Sequence, residues 1–288
     1  MANGFDSVIL GTVQFGVPYG RRKGLPVLDQ GISEEIMDIA WDMGIRKFDT
    51  AENYGIASNI LSNWLKKRSY SVVCQVSTKI KVDQVNNKDI ITSACSKFSN
   101  VCELTLMSHG ALSSSMWKAF KLHCDSINVK AGQSVYSISE MLQAEKLGAS
   151  SIQMPCNLLE WEKLKKINIS KSRIDIRSVY LQGLLLEEPI NAEKRVVGSG
   201  VVVQALKELA NECNAPLSAL LLGAMLHQIT DQNNIVVGID CISQLSDIKT
   251  ASKLSNEIIE NFISLLNDRN LLKKILDAEY LFDPRKWN

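Results

Sequence analysis

The chain has 288 residues, and 45% of them are hydrophobic, a fraction typical of a protein with a globular core. Its 32 lysines and arginines nearly balance 31 aspartates and glutamates, so the composition gives no support for nucleic acid or another polyanion as a partner. This length allows two average domains, although a single α/β barrel also takes about 250 residues.

The chain lacks the features of an exported or membrane protein. Residues 1–10 include Asp6 and contain no charged segment followed by a long apolar stretch, so we predict no signal peptide. The longest apolar run, residues 217–226, includes Ser218 and is too short to span a bilayer. We therefore expect a cytoplasmic protein that makes no membrane contact.

Seven cysteines and three histidines give no recognisable metal site. The cysteine count is odd, no CxxC pair occurs, and neither HxxxH nor HExxH is present. We therefore expect no bound metal. Most of the cysteines lie in apolar segments, which favours small core residues in a reducing compartment.

Short apolar segments alternate with amphipathic segments along the whole chain. Apolar runs of about five residues are typical of strands buried on both faces of a parallel sheet, and the segments between them favour helical crossovers. In chain order, the pattern predicts strand 8–12, helix 33–43 capped by Ser33, strand 46–49, helix 58–67, strand 71–79, helix 88–98, strand 101–107, helix 114–122, strand 132–135, helix 139–147, strand 151–155, helix 159–167, strand 174–178, helices 201–213 and 217–227, strand 235–237 and helix 243–251. Residues 256–288 add two helical stretches.

Eight strand–helix units predict an α/β protein, a closed (β/α)8 TIM barrel with extra C-terminal helices, forming one domain over residues 1–288. An open dinucleotide-binding sheet has less support, because no GxGxxG stands at the first strand–helix turn and Gly11 and Gly16 have the wrong spacing. In a TIM barrel, chemistry takes place where the strands end and the following loops begin.

Four reactive side chains fall at these strand ends. Asp49 ends the second predicted strand, Tyr54 lies in the loop after it, Lys79 ends the third strand, and His109 follows the fourth. Consecutive strands of a barrel are neighbours, so we expect the four side chains to converge. Taken singly, each has a structural interpretation, as a helix cap, a turn residue, an exposed lysine or a satisfied polar group.

Together the four groups favour the reduction of a carbonyl. A tyrosine hydroxyl, with an ordinary pKa of about 10, donates a proton to the developing alkoxide. A nearby ammonium is expected to lower that pKa, and a carboxylate keeps the ammonium charged and in place. A neutral histidine holds the carbonyl oxygen by a hydrogen bond.

At these residues the chain resembles the aldo-keto reductase family. The resemblance spans roughly residues 7–250; residues 47–55, which read KFDTAENYG, are similar to the family signature, and Phe15-Gly16 and residues 236–238 add weaker support. It implies NAD(P)H-dependent reduction of an aldehyde or ketone by a tetrad at the mouth of the barrel. The implied catalytic residues are Asp49, Tyr54, Lys79 and His109.

The resemblance also implies a bed for the cofactor. By this resemblance, Gly11, Thr12 and Val13 form the first loop, which borders the nicotinamide, and Ser134 and Gln153 hydrogen-bond its carboxamide. Residues 177–183 lead into the pyrophosphate loop. Residues 238–247 bind the adenosine half, where a helix N-terminus suits a phosphate. The implied cofactor-binding residues are Gly11, Thr12, Val13, Asp49, Ser134, Gln153, Arg177, Ser178, Gln182, Gly183, Gly238, Gln244 and Asp247.

Some positions depart from the family pattern. Val135 stands where many members have an asparagine that holds the carboxamide, and Arg177 replaces a frequent stacking aromatic. Gly238 and Gln244 stand where NADPH-selective members often carry cations for the 2′-phosphate, whereas Asp247 matches the acidic residue that reads the adenine. The family habit favours NADPH with NADH possible, and the missing cations should weaken the preference for NADPH.

The loop after the fourth strand, residues 110–113, is very short, which predicts an open mouth suited to a hydrophilic carbonyl compound such as one derived from a sugar. The candidate substrate residues are Phe15, Tyr19, Tyr54 and His109, with the tail near Trp287 as further lining. Phe15 and Tyr19 equally fit a role in packing.

Two other functions fit parts of the sequence. A nicotinamide-binding sensor or partner subunit could use the same fold without significant turnover, because fold does not fix function. An aldolase could use Lys79 as a Schiff base, since a lysine at a strand end in a closed barrel also suits that chemistry. The aldolase has no need of Asp49 and Tyr54.

Overall fold

The computed structural model describes residues 5–167, 171–230, 232–268, 281 and 283–287. Its centre is a closed barrel of eight parallel strands that follow one another in chain order, which confirms the predicted (β/α)8 fold. The strands are β1 Val8–Gly11, β2 Lys47–Asp49, β3 Gln75–Lys81, β4 Glu103–His109, β5 Lys130–Ser134, β6 Ser151–Pro155, β7 Arg173–Arg177 and β8 Asn234–Gly238.

Helices surround the barrel and bury their apolar faces against it. One cluster of buried side chains joins helices and strands, from Val8 in β1 to Leu266 near the C-terminus. The helices are α1 Gln30–Asp42, α2 Ala57–Lys67, α3 Lys88–Ser96, α4 Ser114–Ser126, α5 Ile138–Lys146, α6 Trp161–Lys165, α7 Pro189–Arg195, α8 Ser199–Glu212, α9 Leu217–Gln228, α10 Gln244–Ala251 and α11 Asn256–Asp268.

Helix α11 agrees with the first of the two helical stretches expected in the tail. The second falls mainly on residues 269–280, which lie outside the described residues. No helix in the described ranges is long and apolar enough to cross a membrane. Of the seven cysteines, Cys102 and Cys241 are exposed and the others are buried, so most of them are core residues as predicted.

Strand register sets which residues meet at the carboxyl end of the barrel. Gly11 at the end of β1 pairs with Asp49 on one side and with Gly238 on the other. Asp49 pairs in turn with Ser77 of β3, and Lys79 lies two residues further along that strand. The ends of β8, β1, β2 and β3 therefore form one continuous edge.

The opposite end of the barrel is closed by charged groups that satisfy one another. Arg173 contacts Glu103 at 2.8 Å and Asp175 at 3.2 Å, and the buried Asp175 also accepts from Ser151 and Asn234. Buried charges are tolerated when they are paired and hydrogen-bonded in this way. The charges of this cluster satisfy one another, so we assign it a structural role.

The predicted start of the first helix was wrong. Helix α1 begins at Gln30, and its N-cap is Asp29, whose carboxylate accepts from the backbone N–H of Gly31 at 2.7 Å. Ser33, the expected cap, is fully buried inside the helix and donates its hydroxyl to the carbonyl of Asp29 at 3.0 Å. Both residue types are good caps, so sequence alone did not separate them.

The third and fourth strands lie later in the chain than predicted. Residues 71–73 form a short 3-10 turn in which Val72 and Val73 are exposed, and β3 runs from Gln75 to Lys81. Lys79 therefore lies inside the strand rather than at its end. Strand β4 includes His109 as its last residue, two residues past the predicted limit.

The connection between β7 and α8 is not the long loop that was predicted. It contains a 3-10 turn over Leu184–Leu186 and the short helix α7, which starts with Pro189 at its first position. Proline is favoured there because its missing N–H has no intrahelical partner to lose. The predicted helix 159–167 is a 3-10 turn, Leu158–Glu160, followed by the short α6.

Candidate active site

A buried ion pair lies at the carboxyl end of the barrel. The Nζ of Lys79 is 2.6 Å from Oδ1 of Asp49, and their side chains are 1% and 5% exposed. Lys79 also donates to the carbonyl of Thr50 at 3.1 Å, and Asp49 accepts from Nε2 of Gln153 at 2.8 Å. These extra bonds offset the desolvation that makes buried charges costly.

Tyr54 is held beside this pair by a close approach of two loops. A Cβ on Gly16 would lie 1.8 Å from the carbonyl oxygen of Tyr54, and Gly55 has a φ of +57°. Only glycine fits both positions without rearrangement, which explains the glycines on either side of the contact. The Nζ of Lys79 lies 5.2 Å from the centroid of the Tyr54 ring.

The expected direction of the Tyr54 pKa was wrong. Desolvation raises the pKa of Tyr54 above its ordinary value, Asp49 raises it further, and the Arg177 guanidinium opposes them. Burial also lowers the pKa of Lys79, which its contact with Asp49 counteracts. The phenol therefore keeps its proton at neutral pH, as a proton donor must before it reacts.

His109 lies at the end of β4 with both ring nitrogens near polar groups. Its Nε2 is 3.0 Å from the hydroxyl of Tyr136, and its Nδ1 is 3.4 Å from Nδ2 of Asn53. Burial, together with the nearby cations Lys79 and Arg177, lowers the pKa of His109 to about 4. The imidazole is uncharged at neutral pH, as the proposed hydrogen bond to a carbonyl oxygen requires.

We expect the imidazole of His109 to stay mostly uncharged from pH 8 down to pH 5, where a pKa of about 4 leaves only about a tenth of it protonated. The measurement is a proton–nitrogen NMR titration of the imidazole signals, with the His109→Asn variant used to assign them. A titration midpoint near 6.5, the ordinary value for histidine, would contradict the described environment.

The structure thus brings together all four residues that the sequence singled out for catalysis. They supply a protonated phenol, a buried ammonium–carboxylate pair and a neutral imidazole at one end of the barrel. Such a set can donate a proton to an oxygen, stabilise the resulting phenolate and hold the oxygen by a hydrogen bond.

A long groove runs from Tyr54 past the ends of β7, β8 and β1. Eleven of the thirteen predicted cofactor residues line it: Gly11, Val13, Asp49, Gln153, Arg177, Ser178, Gln182, Gly183, Gly238, Gln244 and Asp247. The prediction missed other residues that line the groove, including Gln14, Arg21 and Ser218.

Two predicted cofactor residues do not line this groove. Thr12 is fully buried, and its hydroxyl donates to the carbonyl of Asp49 at 3.0 Å, so its observed contact is structural. Ser134 is also buried; it lies 3.4 Å from Oε1 of Gln153 and lines the neighbouring cavity instead. Sequence could not separate these roles, because both residues stand at strand ends.

The groove has polar atoms and open backbone suited to a dinucleotide. Oε1 of Gln14 is buried and has no hydrogen-bond partner among the described residues. A Cβ on Gly238 would lie 2.6 Å from Nε2 of Gln14, so glycine leaves this part of the groove open. Nε2 of Gln244 donates a hydrogen bond to Oδ1 of Asp240 at 2.6 Å. Position 238 is glycine and position 244 is glutamine, so neither carries a positive charge for the 2′-phosphate of NADPH.

A second cavity, of about 560 Å³, opens beside the first and contacts both Tyr54 and His109. Tyr19 lines both the groove and this cavity, as a substrate residue would. Phe15, however, is fully buried in the hydrophobic core, so its predicted place in the substrate site was wrong and its alternative role in packing holds. The guanidinium carbon of Arg195 lies 5.1 Å from the centroid of the Trp287 ring. Residues 283–286, and not Trp287 itself, line the cavity.

Comparison with known proteins agrees with this geometry. Residues 7–102 match the model of the aldo/keto reductase family, a segment that contains Asp49, Tyr54 and Lys79. The predicted resemblance to the aldo-keto reductases is confirmed. No curated protein matches the chain in sequence.

Solved structures of aldo-keto reductases share the fold. An aldose reductase from Giardia lamblia has a TM-score of 0.63 at 12% identity, covering 91% of this chain and 92% of its own. An aldo-keto reductase from Brucella melitensis gives 0.60 at 13% identity, covering 90% and 93%. One from Bacillus halodurans, in its apo form, gives 0.59 at 19% identity, covering 83% and 87%. At these identities the likeness establishes the barrel, and the activity rests on the site.

Proposed function

We propose that the protein reduces an aldehyde or ketone to an alcohol with a nicotinamide cofactor, using Tyr54 as the proton donor. The observation that carries this proposal is the buried Lys79–Asp49 pair beside a phenol that desolvation keeps protonated. A neutral His109 at the same cavity and a long groove next to it complete the arrangement.

The groove would hold NADPH or NADH. When bound, the reduced nicotinamide supplies the hydride that the carbonyl carbon receives. Gln153 and Arg177 at the ends of β6 and β7 face the groove near Tyr54, whereas Gln244 and Asp247 of α10 line its far part. The unsatisfied Oε1 of Gln14 is a ready acceptor for a hydroxyl or amide of such a ligand.

The residues of this chain then manage the charge on oxygen. Tyr54 gives its proton to the carbonyl oxygen as that oxygen becomes an alkoxide. The Lys79 ammonium stabilises the phenolate left behind, and Asp49 holds the ammonium in place at 2.6 Å. His109 hydrogen-bonds the same oxygen through its uncharged ring. Proton donation from a positioned acid contributes about 10²–10⁴-fold in rate.

The aldolase alternative has less support. Lys79 is 1% exposed and its Nζ is held by Asp49 and Thr50, so a substrate carbonyl has no access to the amine. Schiff-base formation needs an unprotonated, accessible amine. A sensor would have no need of the four convergent groups, and a measurement of turnover distinguishes a sensor from a reductase.

Titration with NADPH and NADH, followed by a screen of aldehydes and sugars with the tighter cofactor, tests the proposal. We expect the two dissociation constants to differ by no more than about tenfold, because Gly238 and Gln244 offer no charge to a 2′-phosphate. Tryptophan fluorescence measures the binding, and absorbance at the nicotinamide band measures turnover.

Two results would count against this account. A preference of about a thousandfold for NADPH would mean that the phosphate site lies elsewhere. Tight binding of both cofactors without turnover of any carbonyl would favour the sensor.

A further inference from the structure

Arg177 is a cation that lies beside the candidate catalytic groups. It ends β7, lines both the groove and the cavity, and donates to the carbonyl of Val135 at 3.1 Å. Among the described residues no carboxylate lies within ion-pair distance of it. Its charge lowers the pKa of both Tyr54 and His109, so it acts on the reacting end of the cavity.

A second guanidinium lies on the same side of the cavity. The centroid of the Tyr136 ring is 4.5 Å from the guanidinium carbon of Arg177 and 4.1 Å from that of Arg285. Arg285 is held by Asp283 through two hydrogen bonds, of 2.8 and 2.9 Å. Because the hydroxyl of Tyr136 lies 3.0 Å from His109, one tyrosine ring separates the two guanidinium groups from the histidine.

The cavity as a whole carries excess positive charge. Its charged lining residues in the described part of the chain are Lys163, Arg177, Arg285 and Lys286 against Glu160 and Asp283. Burial raises the pKa of Glu160 to about 7, which removes part of the negative charge at neutral pH. The cations exceed the carboxylates, and a concave site with a net positive charge concentrates anionic ligands.

We propose that the substrate is a short aldehyde or ketone that carries an anionic group, a carboxylate or a phosphate, bound by Arg177. This deepens the proposed reduction and rests on it. The guanidinium of Arg177 has donors left after its single bond to Val135, and a planar guanidinium binds carboxylate or phosphate through two parallel hydrogen bonds. Arg285 adds charge near the same ring while its own bonds go to Asp283.

Two matched pairs of compounds test this proposal. Succinic semialdehyde and butanal differ by a carboxylate in place of a methyl group, and glyceraldehyde 3-phosphate and glyceraldehyde differ by the phosphate. We expect kcat/KM of the full-length protein to favour an anionic member by about tenfold or more, mainly through KM. The pair with the larger advantage identifies carboxylate or phosphate as the group recognised.

The Arg177→Gln variant should remove this advantage: kcat/KM for the anionic member should fall by about tenfold more than kcat/KM for the neutral member, whatever the substitution does to the two in common. Arg177→Lys keeps the charge but loses the paired donors, so it should retain part of the advantage. The control is Lys118→Gln on the exposed face of α4, which removes one positive charge far from the cavity and should leave every ratio unchanged.

Each outcome decides the proposal. Anionic and neutral members used equally well by the unaltered protein would overturn it, as would an advantage that survives in Arg177→Gln. If no compound is reduced with either cofactor, the proposed reduction fails instead. Calorimetry with 4-hydroxybutyrate and butan-1-ol then tests the anion site alone: binding of the acid that is lost in Arg177→Gln supports it, and equal binding of both compounds overturns it.

Discussion

Tyr54→Phe is expected to lower kcat for carbonyl reduction by about 10²–10⁴-fold while cofactor affinity changes by less than about threefold. The substitution removes the hydroxyl and keeps the ring, so the packing of the loop against Gly16 should be retained. Steady-state kinetics and a fluorescence titration of the cofactor on the same preparation measure the two quantities.

Tyr70→Phe is the matched control for the loss of a phenol. The Tyr70 ring stacks on Trp41 with centroids 3.7 Å apart, behind helix α1 and away from the groove. The activity of Tyr70→Phe should equal that of the unaltered protein. Full activity in Tyr54→Phe would exclude this residue as the proton donor.

Lys79→Met is expected to reduce the free energy of unfolding by about 3–5 kcal/mol and to reduce turnover as well. The change leaves the Asp49 carboxylate buried, 5% exposed, without the ammonium that lies 2.6 Å away. Removing one member of a buried ion pair lowers the free energy of unfolding by more than the intact pair adds to it, because the remaining charge is left with neither its partner nor water. Urea denaturation monitored by circular dichroism measures the loss.

Two comparisons separate this effect from the general loss of a lysine. Lys121→Met breaks an exposed ion pair with Asp125 of nearly the same length, 2.7 Å, and should cost less than about 1 kcal/mol. The double variant Lys79→Met/Asp49→Asn should recover part of the stability but none of the activity. A stability for Lys79→Met within 1 kcal/mol of the parent would show that the pair is not buried as described.

The barrel could be predicted because its strands leave a local signal. Strand β6 was predicted correctly at both ends, and residues 151–154 are all buried, including the polar Ser151 and Gln153. Strand β3 was placed too early because Val72 and Val73 have the composition of a strand, although they are 68% and 52% exposed in a turn. Composition reports a preference for strand, and packing decides which apolar segment is paired.

The four catalytic candidates could be predicted because a closed barrel brings all its strand ends together. Contacts between distant segments left no such signal. Tyr136 follows β5 and Arg285 lies near the C-terminus, and their meeting beside His109 depends on where residues 283–286 lie in the folded chain. The burial of Phe15 and the raised pKa of Tyr54 likewise depend on how far water reaches each group.

Transfer of deuterium from cofactor to product tests the central claim most directly. The protein is incubated with an aldehyde and with NADPH or NADH deuterated at C4 of the nicotinamide, using each of the two stereoisomers, and the alcohol is analysed by mass spectrometry. We expect one isomer to place a single deuterium on the carbinol carbon, and Tyr54→Phe to form little of this product. Alcohol without deuterium from either isomer, or no alcohol at all, would contradict hydride transfer at this site.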